Sequence, residues 1–463
     1  MTAISLPLPS TMSTGRRWTV LAVCAAAMFL VGLDTTIVNV ALPGIGRGLG
    51  AGTRGLQWVI DAYTVVFASL LITSGALADR FGRRRVFQLG LVTFGVASVL
   101  CAVAPSLGFL VAARVLQGAA ASMLSPVALG IVVNVMTDPR ERAKAIGIWA
   151  SVFGLSMAAG PTAGGALLAV FDWRAVFWIN VPVIVLAVLL VAVVVPESRG
   201  QRARRLDPPG QLLLIVLVGL TVGTLIEAPH LGWGSATAIG LYVSIVIVAA
   251  AFVTVERRRR DPLIDPALFR VPAFTGAVLG AIAVFVALST TLLLTTFSLQ
   301  DARGWTPLAA GMAVLPLAIG ATVCAPFAGI LVARTGTRLP LLLAGVLITA
   351  GGSCLLPVER HTSVLVLGTA YLLIGAGIGF ANAPITTIAV SSLPPERAAV
   401  AGGTTSTARQ VGASVGIALA GGLVTGVAPD ALVAATRPGW LLVAFCGLVV
   451  LATAVTAAGR TSR

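Results

Sequence analysis

Charge is scarce in this sequence: of its 463 residues only 10% are Asp, Glu, Lys or Arg, and the acidic residues number 16. A soluble domain carries about 25% charged residues, so a chain this poor in charge and 57% hydrophobic falls outside the soluble class. Histidine is almost missing. His230 and His361 are its two representatives, both in short loops between apolar runs, and neither suits a buried metal site or a proton relay at mid-membrane. The five cysteines, Cys24, Cys101, Cys324, Cys354 and Cys446, lie inside apolar runs without metal-ligand spacing and read as packing residues. Lysine is reduced to Lys144, a bias we attribute to base composition rather than chemistry. No Walker-type phosphate loop occurs, which excludes ATP hydrolysis as an energy source, and no cofactor is expected.

What the sequence has instead is long apolar runs, with a mean hydropathy of +1.01. About fourteen of them, each long enough to cross a hydrocarbon layer of roughly 30 Å as a helix, cover 18–41, 57–78, 86–104, 108–136, 146–169, 175–195, 210–228, 235–255, 273–298, 307–332, 339–357, 362–391, 399–426 and 438–458. The expected fold class is therefore an all-α polytopic membrane protein. Arg16 and Arg17 precede a first run too long for a signal-peptide core, so the first span is expected to stay in the protein. The leader to Ser13, rich in Ser, Thr and Pro, reads as disordered.

The net charge of +15 is a topology signal rather than a nucleic-acid footprint. With a cytoplasmic N-terminus, the internal loops and tails hold about 23 of the 31 basic residues, and the external loops only Arg47, Arg54, Arg174, Arg303, Arg360 and Arg437. Both termini are then cytoplasmic. The run Arg257-Arg258-Arg259-Arg260 sits at a cytoplasmic helix end, where contact with anionic lipid is its ordinary role. The lipid bilayer is the expected partner; nucleic acid is not.

Two strings recur at an offset of about 255 residues, the internal repetition common in transporters. Gly75-Ala76-Leu77-Ala78-Asp79-Arg80-Phe81-Gly82-Arg83-Arg84 aligns with Gly329 to Arg338, and Glu141 to Gly147 aligns with Glu396 to Gly402. The division expected is an N-terminal tail (1–17), a six-helix bundle (18–195), a linker with an inserted two-helix hairpin (196–272), a second six-helix bundle (273–458) and a C-terminal tail (459–463).

Against this background a few polar residues stand out. Asp34 lies deep in the apolar run from Trp18 to Pro43, where a charged carboxylate is costly unless it is protonated, paired or facing a water-filled cavity; a transport or proton path is the default reading, and a hydrogen bond to a neighbouring helix is the competing one. Arg114, in span 4, lies roughly 9 Å below the external end and Asp34 roughly 13 Å below it, at 1.5 Å per residue. Their depths are comparable, so an ion pair is open. Asp61 lies about one turn inside span 2, which leaves an interfacial, solvated carboxylate and a functional one equally open. Glu227 reads as a solvated loop acid. Arg409 falls near the middle of span 13 while spans 9–14 hold no acidic residue, so its partner is expected from the other half, from a backbone carbonyl or from an anionic substrate group.

These strings resemble those of a known family. Gly75-x-x-x-Asp79-Arg80-x-Gly82-Arg83-Arg84 resembles the loop between helices 2 and 3 of the major facilitator superfamily, and Leu33 to Pro43 resembles the first-helix motif of its fourteen-helix drug:proton antiporter branch. Arg114-x-x-Gln117-Gly118, Gly154 with Gly160-Pro161-x-x-Gly164-Gly165, Trp173-Arg174, Asn180-Val181-Pro182 and Arg409-Gln410-x-Gly412 extend the likeness along nearly the whole chain. Leu225 to Pro229 with Gly232-Trp233, and Leu268 to Arg270 with Phe274 to Gly276, resemble antibiotic-resistance exporters of actinobacteria.

The resemblance implies a major facilitator fold that exports small, largely apolar drugs or antibiotics by proton antiport, as a monomer and without enzymatic activity. It implies proton and substrate roles for Asp34, Asp61, Arg114, Asn39, Gln117, Arg409 and Gln410. Gating roles fall to Gly75, Asp79, Arg80, Gly82, Arg83, Arg84, Gly154, Gly160, Pro161, Gly164 and Gly165, with Asp79 as an arginine latch between halves. The span-5 glycines also read as ordinary close helix packing. Without an acid in the second-half spans, neutral, zwitterionic or monovalent substrates fit better than divalent cations. A proton-coupled importer is the alternative within transport. A membrane enzyme is the alternative outside it, disfavoured by short external loops nearly free of acids.

Overall fold

A polypeptide in hydrocarbon must satisfy its own backbone, and among the described residues it does so with helices. A computed structural model describes residues 12–200, 206–259, 261–393 and 398–457; the expected C-terminal tail and the leader up to residue 11 lie outside the described residues. The fourteen long helices are α1 (Thr14–Leu49), α2 (Thr53–Phe81), α3 (Arg83–Ala102), α4 (Leu107–Val135), α5 (Pro139–Leu168), α6 (Asn180–Val194), α7 (Pro208–Leu231), α8 (Ala236–Arg258), α9 (Pro272–Thr296), α10 (Pro307–Thr335), α11 (Arg338–Cys354), α12 (Val364–Ser391), α13 (Ala398–Val424) and α14 (Arg437–Ala457). Short helical turns, Ala175–Trp178 and Leu432–Ala435, lead into α6 and α14.

Helices outlast apolar runs where polar caps allow it. α1 begins before its run, with Ser13 Oγ accepting from the Arg16 amide (3.4 Å), and stops only at Gly50, whose φ of 63° is left-handed. At 36 residues it is about 54 Å long, so both ends stand clear of the hydrocarbon. α9 likewise runs on into a π-helical turn, Phe297–Ala302. That turn brings Asp301 into the last stretch of the span, so the expectation of no acid in the second-half spans is corrected.

The packing repeats with the sequence. α1 packs on α5 as α9 packs on α13, α2 on α4 as α10 on α12, and α3 on α4 as α11 on α12. The two bundles meet along two seams, α2 with α13 and α5 with α10. Adding eight to each helix number of the first half converts one seam into the other, so the halves are related by a pseudo-twofold axis. The leftover hairpin is asymmetric: α7 packs on both α2 and α13, while α8 packs mainly on α7 and leaves Ile239, Val243, Val246 and Ile247 exposed. That exposed face is the surface a lipid-facing helix presents.

Glycine sets the spacing of these contacts. A Cβ on Gly118 in α4 would run into the Tyr63 carbonyl of α2, and one on Gly375 in α12 into the Leu317 carbonyl of α10, at matching places in the two halves. At the second seam a Cβ on Gly165 would stand 2.7 Å from the Pro307 carbonyl oxygen. Gly165→Val is therefore expected to splay α5 from α10. Overpacking costs about 1–3 kcal/mol, or about ten- to a hundredfold in the balance between states that keep and open this seam. Transport assays on membranes holding equal amounts of the two proteins check the outcome.

Candidate proton and substrate site

Asp34 is fully buried, and every neighbour that hydrogen-bonds it is fully buried too. Arg114 Nη1 donates to Asp34 Oδ2 (2.6 Å), while Gln117 Nε2 and Asn180 Nδ2 donate to Oδ1 (2.9 and 3.0 Å). Gln117 Nε2 also reaches Ser98 Oγ at 3.0 Å. One carboxylate thus joins α1 to α4 and α6, with α3 attached through Ser98. Arg114 is held through Nε, which donates to the Val59 carbonyl (3.0 Å), through Nη1, which also donates to Gln117 Oε1 (2.7 Å), and by its guanidinium carbon, 4.2 Å from the centre of the Tyr63 ring, while its Nη2 has no hydrogen-bond partner among the described residues. The pair left open by helix counting is real, and its charges offset each other in a fully buried site, the condition under which a buried ion can persist.

Asn180 is the member of this cluster that sequence reasoning did not single out. Its signal was an asparagine at the head of an apolar helix, noted only as part of a motif. Ser98 gave no signal, because a lone serine in an apolar run is also ordinary helix packing.

Asp61 is also fully buried, which settles the interfacial alternative against it. The apolar run begins at residue 57, but α2 starts at Thr53, a full turn earlier, and α13 covers the site. Asp61 Oδ1 accepts from Thr64 Oγ1 (3.2 Å), and Thr64 Oγ1 accepts from Ser414 Oγ of α13 (2.6 Å). Among the described residues its Oδ2 has no partner and no cation pairs with it. Asp61 is therefore a buried carboxylate at the seam between halves, linked by hydroxyls alone.

Between the halves lies a cavity of about 550 Å³ of empty space, counted out to its mouth. α1 contributes Val31, Gly32, Thr35, Thr36 and Asn39, α2 Thr64 and Phe67, α9 Phe285, Leu288, Ser289 and Leu292, and α13 Gln410, Ala413 and Ile417. Its wall is apolar, with a few hydroxyls and amides. Asn39 and Leu292 also line a smaller cleft with Pro161 and Thr296. Asp34 is not part of the wall: its neighbours Thr35 and Thr36 face the cavity while its carboxylate turns into the first bundle. Asn39 spends its amide on the Thr35 and Thr36 carbonyls, whereas buried Gln410 Oε1 has no partner among the described residues.

Arg409 Nη2 donates to Thr386 Oγ1 of α12 (2.6 Å), a hydroxyl of its own half that was not among the partners expected for it. Glu227 is corrected as well. It is no solvated loop acid but binds Arg54 (2.6 Å) and accepts from Trp58 Nε1 (3.4 Å), tying α7 to α2.

At the face carrying the termini, Asp79 pairs with Arg83 (2.8 Å), and Arg83 Nη1 donates to the Gly130 carbonyl of α4 (3.1 Å). Arg84 hydrogen-bonds the Ala192 carbonyl, and Glu197 accepts from the Arg84 amide at 3.1 Å. Gly82 takes a φ of 111°, and a Cβ there would meet the Glu197 carboxylate. All of these partners belong to the first half or the segment following it; among the described residues Asp79 has no partner in the second half. Arg80 lies over the Phe81 ring (5.5 Å), and a Cβ on Gly75 would stand 3.9 Å from Pro126 Cβ. Gly160 and Gly164 allow α5 to lie against Thr36 and Ile37 of α1, and the carbonyl of Pro161 meets Gly311 of α10. The surroundings of Gly154 lie outside the described residues.

Residues 24–417 match the sequence profile of the Major Facilitator Superfamily. The chain belongs to this superfamily. As a member of it, this multi-pass membrane protein is a transporter by family rather than an enzyme, with lipid around it. It is 38% identical over 472 residues to the puromycin resistance protein pur8 of Streptomyces alboniger, covering 98% of this chain and 93% of that one. It is 38% identical over 397 residues to the multidrug resistance protein Stp of Mycobacterium tuberculosis (86% and 74% covered) and 35% identical over 404 residues to the methylenomycin A resistance protein of Streptomyces coelicolor (86% and 83%). Among solved structures, a peptide transporter POT mutant in complex with sulfate shares the superfamily fold, with a TM-score of 0.67 over 95% of this chain and 94% of that one at 17% identity.

Proposed function

We propose that this protein exports small, largely apolar drugs or antibiotics across the cytoplasmic membrane in exchange for protons, by alternating access between its two six-helix halves. The observation that carries the reading is similarity along almost the entire chain to proteins named for drug resistance. The apolar cavity between halves supports the substrate class, and the arginine-rich loops support cytoplasmic termini.

With that sidedness, the face sealed by the Pro161–Gly311 approach, by Gln57 Nε2 donating to the Ala418 carbonyl (2.9 Å) and by Gln300 Nε2 donating to the Val40 carbonyl (3.1 Å) is the outer one. The central cavity is then closed toward the outside in this conformation. Asp34 is the coupling carboxylate of the first half, with Arg114 as its partner and Gln117 and Asn180 as supports; α1 carries its state to the cavity through Thr35, Thr36 and Asn39. Asp61 is the second acid, at the seam. Arg409 and Gln410 are the polar determinants of the second half, and the absence of a carboxylate in the cavity wall favours neutral or monovalent substrates. Asp79 and Arg83 act as a latch that changes partners when the protein turns outward. No second subunit is needed.

A susceptibility panel including puromycin tests this. Cells carrying the intact gene should tolerate at least one compound better than cells without it, and should lose that advantage when the proton gradient is collapsed. Greater sensitivity with the gene would mark an importer and overturn the reading. Topology is tested by cysteine labelling from outside intact cells: a cysteine placed at Gly50 should react and one at Ser13 should not, whereas reversed accessibility would invert the sidedness.

A further inference from the structure

Among the described residues, three side chains bridge the α2–α13 seam by hydrogen bonds. Gln57 ends on the Ala418 carbonyl and Thr407 Oγ1 on the Ala68 carbonyl (3.3 Å), acceptors whose strength does not depend on protonation. The third bridge, Ser414 to Thr64, ends on a hydroxyl that itself faces a carboxylate.

A hydroxyl has a single proton to give. Once Thr64 accepts from Ser414, its own proton goes to Asp61 Oδ1 (3.2 Å) or to the backbone oxygens of Ile60 and Asp61 (both 3.3 Å). When Asp61 is ionised, the chain Ser414 to Thr64 to Asp61 ends on a negative charge, and each donor in it is strengthened. When Asp61 carries a proton, the carboxyl becomes a donor, Thr64 turns to a backbone oxygen, and that reinforcement is gone. Of the charged groups on and beside the helices packed against α2, Arg114 pairs with Asp34, Glu227 with Arg54, Asp207 with Arg259, Arg83 with Asp79, Arg85 with Glu197 and Arg17 with Glu141. Arg84 meets the Ala192 carbonyl and Arg409 meets Thr386. Arg16 and Arg47 lie toward the two ends of α1, and among the described residues no cation forms an ion pair with Asp61. Thr64 also lines the central cavity, as does Ala413 beside Ser414.

We infer that the Ser414–Thr64–Asp61 chain is an interlock that bars the empty, proton-free protein from reorienting. The inference rests on the antiport reading above. Two events release the interlock: a proton arriving on Asp61, or a substrate seated against Thr64 and displacing its contact with Ser414. Either cargo alone therefore permits the halves to turn, and the state with neither is held. Ser414 is a positioning residue, acting on the carboxylate through Thr64.

The test is proton leak in proteoliposomes under an imposed pH gradient, with a pH-sensitive dye and no drug. Ser414→Ala is expected to dissipate the gradient about tenfold faster than wild type, which corresponds to about 1.4 kcal/mol. Thr64→Val breaks the same link from the other side and should leak likewise if Ser414→Ala is not recovered folded. Ser414→Thr, which keeps the hydroxyl, and Thr407→Ala, which removes a bridge unconnected to Asp61, should stay near wild type. Adding Asp61→Asn to Ser414→Ala should abolish the leak. A wild-type rate in both link-breaking variants, an equal leak in Thr407→Ala, or a leak that survives Asp61→Asn would overturn the interlock. If wild type moves no protons with any drug it exports, the antiport reading itself fails, and the interlock with it.

Discussion

Asp34→Asn should abolish proton-coupled efflux and destabilise the protein, because it strips Arg114 of its counter-charge in a fully buried site. Breaking one side of a buried ion pair costs about 3–5 kcal/mol, whereas replacing both partners with neutral groups removes the uncompensated charge. The double variant Asp34→Asn with Arg114→Gln should therefore melt closer to wild type than either single variant, yet remain unable to couple efflux to protons. Arg114→Gln alone should be the more harmful single change, since it also removes the donor to the Val59 carbonyl and the stack on Tyr63. Thermal melting of the four purified forms gives the coupling energy as a double-mutant cycle. Additive shifts would mean that the 2.6 Å contact has no energetic weight.

Asp61→Asn is expected to have as large an effect on transport with far less on stability. Asparagine has nearly the shape of a protonated aspartate, can still meet Thr64, and removes a buried carboxylate that no cation balances. Drug binding by the purified variant should stay near wild type, because the carboxylate is not in the cavity wall. Substrate-induced proton movement should vanish and efflux fall to background. Binding by fluorescence quenching and efflux in everted vesicles separate the two effects; undiminished efflux would remove Asp61 from the coupling path.

Much of the architecture was legible because membrane insertion writes itself into composition. Apolar runs became helices, and the repeated strings after span 2 and before span 5 marked the paired halves. Helix ends were less legible: α1 and α2 continue through polar residues that a hydropathy count discards, which is why Asp61 was placed too near the surface and Asp301 was left out of its span. The Asp34–Arg114 pair was half legible, since depth follows from counting residues but rotation about the helix axis does not. That same rotation hid the fact that Asp34 turns away from the cavity. Least legible were the partners without charge. Thr386 for Arg409, Ser414 for Thr64 and Asn180 for Asp34 are small polar groups in apolar helices, and only the fold distinguishes them from the many others.

The central claim is that a proton gradient alone drives substrate out. Its most direct measurement uses the purified protein inserted in proteoliposomes with a pH gradient, no nucleotide and a compound identified by the susceptibility panel. Substrate should accumulate on the acidic side, with a simultaneous opposite flux of protons that scales with it and disappears in Asp34→Asn. Accumulation on the alkaline side, or transport indifferent to the gradient, would contradict it.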